Sequence, residues 1–97
     1  MLERAWLLCD VPERNQSHVD VISEMFDGTE FRLTVRRHLV RFLEADEQNP
    51  KRGYLEVQYS GEKDRRATIT LPVPILDMGH KITVSTDKIM RDLDDLD

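Results

Sequence analysis

The sequence predicts an α+β fold, in which one or two short helices pack on a mainly antiparallel sheet of about five to six strands. Apolar and polar residues alternate in several consecutive segments, which is typical of strands with one buried face. Short connections separate these segments, and antiparallel neighbours need only short connections. Two further segments space their apolar residues as an amphipathic helix does. A small β-barrel or sandwich is the alternative architecture.

The composition indicates one folded domain. The 97 residues fit a single domain, residues 1–97, without an internal repeat or a linker. Charged residues make up 34% of the chain, but the apolar residues are patterned, which argues against disorder. The net charge is −5, and much of it comes from the aspartates of residues 87–97. The remainder is close to neutral and provides no overall field for nucleic acid or an anionic membrane, so we expect neither partner.

The sequence suggests a cytoplasmic protein. Glu3 and Arg4 interrupt the N-terminal region, where a signal peptide would carry basic residues before a longer apolar run. No stretch approaches the roughly 18 apolar residues that a membrane-spanning helix needs. Cys9 is the only cysteine, so no disulfide can form within the chain.

The first strand is expected at residues 5–9. These residues are apolar at both alternating positions and are followed closely by Pro12. A short run of this kind predicts a central strand covered on both faces. We therefore expect Trp6 and Cys9 in the core.

Three later segments also alternate. Residues 55–59 and 81–85 predict half-exposed strands. Residues 68–75 have the same pattern but contain Pro72 and Pro74. Because proline cannot donate a hydrogen bond to a neighbouring strand, this segment is expected at a sheet edge, or to leave the sheet by Pro72.

Residues 17–28 fit two structures. As half of a hairpin, the segment ends at Asp27-Gly28, a strong signal for a two-residue turn. As a helix, it has Ser17 as its N-cap and Gly28 just past its end. The helix interpretation is preferred because the apolar spacing fits a period of 3.6 better than 2. The apolar face of this helix would be Val19, Ile22, Met25 and Phe26.

Residues 31–43 also fit two structures. The first six alternate as a strand does, whereas residues 35–46 could form a helix. That helix would place Arg36 and Arg37 at the positive end of the helix dipole, which is unfavourable. We therefore predict a long strand, bent or bulged near Arg37-His38, where the apolar face changes parity.

The same segment carries the main candidate site. It contains no acidic residue although the whole chain is acidic. Guanidinium groups clustered in this way are suited to phosphate, to carboxylate or to an acidic protein. The alternative interpretation is a set of ordinary solvated strand faces paired with nearby acids. The candidate residues are Arg32, Arg36, Arg37 and Arg41, with His38 among them.

The sequence contains no motif for catalysis, for a cofactor or for a metal. His18, His38 and His80 lack the close spacing of a metal-ligand pair, and Cys9 has no CxxC partner. The four glycines lie at least eight residues apart, so no phosphate-binding glycine loop is present. Cys9 lies in the most apolar run of the chain, where thiols are usually unreactive. We predict no catalytic, cofactor-binding or metal-binding residue.

Residues 86–97 are predicted to form an acidic amphipathic segment. A helix there would place Ile89, Leu93 and Leu96 on one face. So short a helix is marginal in water, and aspartates near its C-terminus oppose its dipole. Its order would come from docking on the chain's own sheet or on a second molecule. The three apolar residues are therefore a candidate homodimer interface.

No function class is indicated strongly. The leading hypothesis is a small non-enzymatic interaction or accessory module that binds another macromolecule or itself, because no catalytic motif is present. The alternative is a small-ligand-binding domain, or a small enzyme, with its site in a concavity of the sheet.

Overall fold

The computed structural model describes residues 3–12, 16–43, 51–75 and 79–91. Strands make up 74% of these residues. Within the described ranges the helical segments are two 3-10 turns, Arg37–Leu39 and Thr86–Lys88. The strands are β1 (Glu3–Asp10), β2 (His18–Glu24), β3 (Glu30–Arg36), β4 (Val40–Phe42), β5 (Arg52–Lys63), β6 (Arg66–Ile75), β7 (Gly79–Ser85) and β8 (Ile89–Met90).

All eight strands belong to one antiparallel sheet that curls into a half-barrel. The strand order is β3-β2-β1-β5-β6-β7, so β1 and β5 form the central pair. The two short strands lie off this path, because β4 pairs with β5 and β8 pairs with β1. Each short strand follows one of the 3-10 turns. We call residues 3–43 the first half and residues 51–91 the second half.

The concave face of the sheet is the hydrophobic core. Strand side chains alternate between the two faces, and the inward ones are nearly all apolar. Leu7 and Leu55 are opposite each other at the centre, and neither is exposed to solvent. The largest fully buried side chains are Leu7, Leu55, Ile69, Leu71, Val11, Val19, Val21, Val35 and Val84.

The α+β prediction is wrong, because the described residues contain no α-helix; the barrel-like alternative fits better. The predicted helix over residues 17–28 is instead β2 and the hairpin turn after it. Val19 and Val21 point into the core at the strand period. The outward side chains of Ile22 and Phe26 made the apolar spacing look helical. The Asp27-Gly28 turn is present, with Gly28 at φ +90°.

The strand interpretation of residues 31–43 is confirmed for the part that forms β3 and β4. The predicted bend near Arg37-His38 is a 3-10 turn, which splits the segment into two strands. The backbone N–H of Arg37 donates a hydrogen bond to the Ser17 carbonyl at 2.9 Å. At this point the chain stops pairing with β2, and the following strand, β4, pairs with β5. Residues 44–46 of the alternative helix lie outside the described residues.

The expectation for Trp6 needs correction. β1 is central, as predicted, and Cys9 is buried. However, Trp6 and Leu8 lie on the other face and are only half-buried. The sheet covers β1 fully on its concave side alone.

The predicted helical start of residues 86–97 is also wrong in the described part. Residues 86–88 form a 3-10 turn, and Ile89 and Met90 form β8 against β1. Backbone pairing with a central strand outweighs the weak intrinsic helix preference of so short a segment. Leu93 and Leu96 lie outside the described residues.

The prediction for residues 68–75, a sheet edge or an exit from the sheet by Pro72, is wrong. β6 lies between β5 and β7, and Ile75 still pairs with Gly79 beyond both prolines. The prolines instead interrupt the pairing within the sheet. The pairing of β6 with β7 is irregular between Thr70 and Ile75, the stretch that contains Pro72 and Pro74. In the part of the chain that the structure describes, no helix is long and apolar enough to cross a membrane.

Candidate binding surface

The first 3-10 turn brings basic side chains from three elements together. Arg36 ends β3, and Arg37 and His38 occupy the turn that follows. Strand pairing places His18 of β2 directly opposite Arg36. The bend therefore gathers basic groups that a straight strand would distribute over two faces.

These groups surround a shallow hollow of about 680 Å³. Its floor is apolar and includes the half-buried ring of Phe42. No acidic side chain is among the described residues that line it. We call it the basic hollow, and its lining is Ser17, His18, Arg36, Arg37, His38, Val40 and Phe42.

Arg37 is held in place by an aromatic ring. Its guanidinium carbon lies 4.9 Å from the centre of the Phe42 ring, a cation–π geometry. A guanidinium is planar, so it can stack on a ring and also donate hydrogen bonds through its edge to planar anions such as carboxylates. The Ser17 hydroxyl and the His18 Nδ1 atom lie 3.3 Å apart on the far rim.

The other two predicted arginines lie elsewhere. Arg32 is on the outer face of β3, where its Nε is 3.9 Å from an Asp20 carboxylate oxygen. The Thr34 hydroxyl donates to the same carboxylate at 2.6 Å. Arg41 is on β4, opposite Tyr54. The four arginines therefore do not form one patch, and only Arg36 and Arg37 line the hollow.

The candidate interface residue Ile89 has a structural role. It pairs with Leu7 of β1 and packs, half-buried, against the core. Leu93 and Leu96 cannot be compared with it, since they lie outside the described residues. Ile89 therefore does not form part of an exposed helical face.

Cys9 is buried and protonated at neutral pH. Burial raises the pKa of its thiol to about 12. The thiol donates weakly to the Leu7 carbonyl at 3.4 Å. Because the thiolate is the reactive form, this cysteine is chemically inert in the folded chain.

Neither His80 nor any cluster of metal-ligating side chains forms a second candidate site among the described residues. The Nδ1 atom of His80 lies 3.0 Å from the Leu71 carbonyl, in hydrogen-bonding contact with the backbone. Among the described residues, no three His, Cys, Asp or Glu side chains lie close enough together to hold a metal ion.

The sequence does not mark four residues of the hollow as site residues, namely Ser17, His18, Val40 and Phe42. His18 joins the site only through the hairpin pairing that the Asp27-Gly28 turn sets. Choosing the hairpin over the helix for residues 17–28 would have placed His18 opposite Arg36. In the sequence Phe42 is part of the apolar stripe of the alternative helix over residues 35–46, and the turn that brings it beneath Arg37 has no clear sequence signal.

Comparison of the chain with protein-family models, with curated proteins and with solved structures finds no match. The description of the site therefore stands on the geometry of this chain alone.

Proposed function

We propose that the protein is a non-catalytic interaction module that binds an acidic segment of another protein in the basic hollow. This proposal is supported above all by the basic side chains of Arg36, Arg37, His18 and His38, which line one hollow, with Arg37 stacked on the Phe42 ring. Carboxylates would pair with the guanidinium groups, and an apolar side chain of the partner would cover the ring. We also propose a cytoplasmic location, which is based on the sequence alone.

The way the fold uses its buried groups supports a binding role. The concave face of the half-barrel is filled by apolar side chains, which form its core. The buried thiol of Cys9 is kept protonated. The basic hollow, in contrast, is open and lies on the surface, as a docking site for a chain segment requires.

The alternative function, a small-ligand site in the sheet concavity, has less support. The concavity is occupied by side chains such as Leu7, Leu55 and Ile69, none of which is exposed to solvent. We therefore place the binding surface on the outside of the sheet, at the first 3-10 turn.

The proposal is tested by the affinity of the intact chain for a fluorescent oligoglutamate peptide that contains one tryptophan. The variant with Arg36→Glu and Arg37→Glu should bind at least about tenfold more weakly, since hydrogen bonds to charged groups contribute about 1.5–3 kcal/mol each. Affinity should also fall with added salt.

The matched control is the variant with Lys63→Glu and Arg65→Glu, which makes the same change of net charge. Both residues are exposed at the turn between β5 and β6, away from the hollow. The control should bind nearly as well as the intact chain. Equal losses in the two variants would reduce the binding to overall charge and contradict the proposal. Tighter binding of an oligonucleotide than of the peptide would instead assign the hollow to nucleic acid.

A further inference from the structure

The two halves of the sheet repeat one order of elements. Each half runs through three strands, a 3-10 turn and a short fourth strand. The pairings repeat with the elements. In the first half Asp10 pairs with Ile22, and 48 residues further on Gln58 pairs with Thr70. The ladder between β2 and β3 corresponds to the ladder between β6 and β7, with an offset of 48 residues from β2 to β6 and of 49 from β3 to β7.

The two 3-10 turns have the same backbone geometry. Arg36 before the first turn has φ −67° and ψ 139°, and Ser85 before the second has φ −69° and ψ 139°. The N–H of Thr86 donates to the Arg65 carbonyl at 3.0 Å. This bond is the equivalent of the one that Arg37 makes in the first half. Both turns therefore redirect the chain at the same place and angle.

Each half contributes its fourth strand to the other half. Leu55 of β5 pairs with Val40 of β4, and Leu7 of β1 pairs with Ile89 of β8. Between them, Leu7 pairs with Leu55, its own equivalent. A residue that contacts its own equivalent marks a two-fold axis, as in a symmetric homodimer.

The side chains follow the same correspondence where they are buried. Val21 corresponds to Ile69 and Leu33 to Ile82, and all four are in the core. Most outward positions have diverged, so the repeat is not visible on inspection of the sequence. Identical residues at equivalent positions include Arg4 with Arg52, Leu7 with Leu55, Thr34 with Thr83 and Val35 with Val84.

We infer that the chain is a single-chain form of a homodimer, built from two copies of one four-stranded unit. The interface between its halves is therefore an interface that fits a second copy of this chain. Two chains can exchange halves, so that the first half of each packs on the second half of the other. Every strand pairing and core contact between the halves is then made between chains.

The connection between the halves decides which arrangement forms. β4 and β5 are the arms of a hairpin whose last paired positions are Phe42 and Gly53, and the Leu43 N–H donates to the Arg52 carbonyl at 2.9 Å just beyond this pair. A hairpin needs at least two residues between its last paired positions. A chain with a shorter connection can form this pairing only with another copy.

The test is deletion of residues 43–51, which leaves Arg52 alone between Phe42 and Gly53, the last paired positions of the hairpin. Light scattering should give twice the mass of the intact closed chain at equal concentration. The circular dichroism spectrum should keep the same strand signal. In the matched control an Asn-Gly dipeptide replaces residues 43–51, which restores a closable turn. The control should have the mass of one chain.

A folded monomer from the deletion would overturn the inference, and so would a folded control with twice the mass. A second variant covers a failure of the deletion to fold. In this circular permutant the chain begins at Lys51, and a Gly/Ser linker joins Asp97 to Met1. Arg91 and Glu3 form an ion pair, so these ends of the sheet are adjacent. The permutant should fold as a monomer, because the order of two equivalent units is immaterial, and an unfolded permutant would also overturn the inference.

Discussion

The two 3-10 turns have similar backbone geometry but carry different side chains. At the first turn, Arg36, Arg37 and His38 face solvent around an aromatic ring. At the second, the equivalent residues are Ser85, Thr86 and Asp87. In both turns the path of the chain is set by strand pairing and core packing. It therefore does not depend on which side chains are exposed. The proposed binding surface is therefore distinguished from the second turn by its exposed side chains and not by its backbone.

The charges at the second turn are satisfied locally. The Ser85 hydroxyl donates to the Asp87 carboxylate, and this hydrogen bond holds the pKa of Asp87 below its ordinary value. The Lys88 ammonium lies 3.6 Å from a Glu24 carboxylate oxygen. The equivalent positions of the first turn hold Arg36, Arg37 and His38. The exposed side chains of the first turn are therefore basic, whereas those of the second are polar or acidic.

The largest expected effect tests the equivalence of the two halves at the centre of the core. Leu7→Ala and Leu55→Ala should each lower the free energy of unfolding by about 2–5 kcal/mol, because each leaves a cavity at a fully buried site. The two losses should be similar, since the residues are equivalents that face each other. Urea denaturation measures both. Leu8→Ala, at a half-buried position, is the control and should cost less. A large loss for one leucine and a small one for the other would break the equivalence.

An intermediate effect is expected where the halves differ in the core. Gly53 corresponds to Ala5, and a Cβ atom at Gly53 would lie 3.0 Å from the Arg41 carbonyl oxygen and from a Val40 methyl carbon. Gly53→Ala should therefore lower the free energy of unfolding by about 1–3 kcal/mol through overpacking against β4. Ala5→Gly should cost only about 1 kcal/mol, from backbone freedom. A neutral Gly53→Ala would show that β4 is not packed as closely as the structure indicates.

The smallest stability effect concerns the buried thiol. Cys9 of the first half corresponds to Val57 of the second half. The substitution Cys9→Val therefore places the same residue at both equivalent positions. Burial raises the pKa of Cys9 to about 12, whereas the unfolded thiol titrates near its ordinary value. Stability is therefore complete below the unfolded pKa and falls as pH rises toward the folded pKa. Between about pH 8 and about pH 10, the intact chain should lose about 1 kcal/mol more than Cys9→Val.

The comparison of intact chain and variant isolates this titration. Burial also raises the pKa of Tyr59, but this tyrosine is present in both proteins. Urea denaturation at the two pH values gives the difference. Parallel losses in the two proteins would mean that the Cys9 thiol is less desolvated than the structure shows.

Strand positions could be predicted where the signal is local. Alternation along residues 31–36 and 81–85 is visible in the chain itself, and both segments are strands. Residues 17–28 were misassigned because the outward Phe26 is apolar and imitates a helical face. In the structure the Phe26 ring packs beneath the Arg66 guanidinium, whose central carbon lies 4.5 Å from the centre of the ring. That contact joins the two halves, and a single-sequence pattern carries no information on it.

Only the part of the candidate site that is contiguous in sequence could be predicted. Arg36, Arg37 and His38 are neighbours in sequence and were recognised together. His18 joins them through pairing across the hairpin, and Phe42 through the turn that precedes β4. The repeat of the two halves has no clear sequence signature, because a strand requires only apolar character at alternate positions. Val21 and Ile69 satisfy that requirement equally without being identical.

The most direct measurement of the central claim is a map of where an acidic peptide binds on the intact chain. An NMR titration of the isotope-labelled protein with the oligoglutamate peptide reports every backbone amide in one experiment. The shifted amides should include His18, residues 36–40 and Phe42, and residues 85–89 of the equivalent turn should stay unchanged. Equal shifts at both turns, or shifts spread over the whole sheet, would contradict the assignment of the binding surface to the basic hollow.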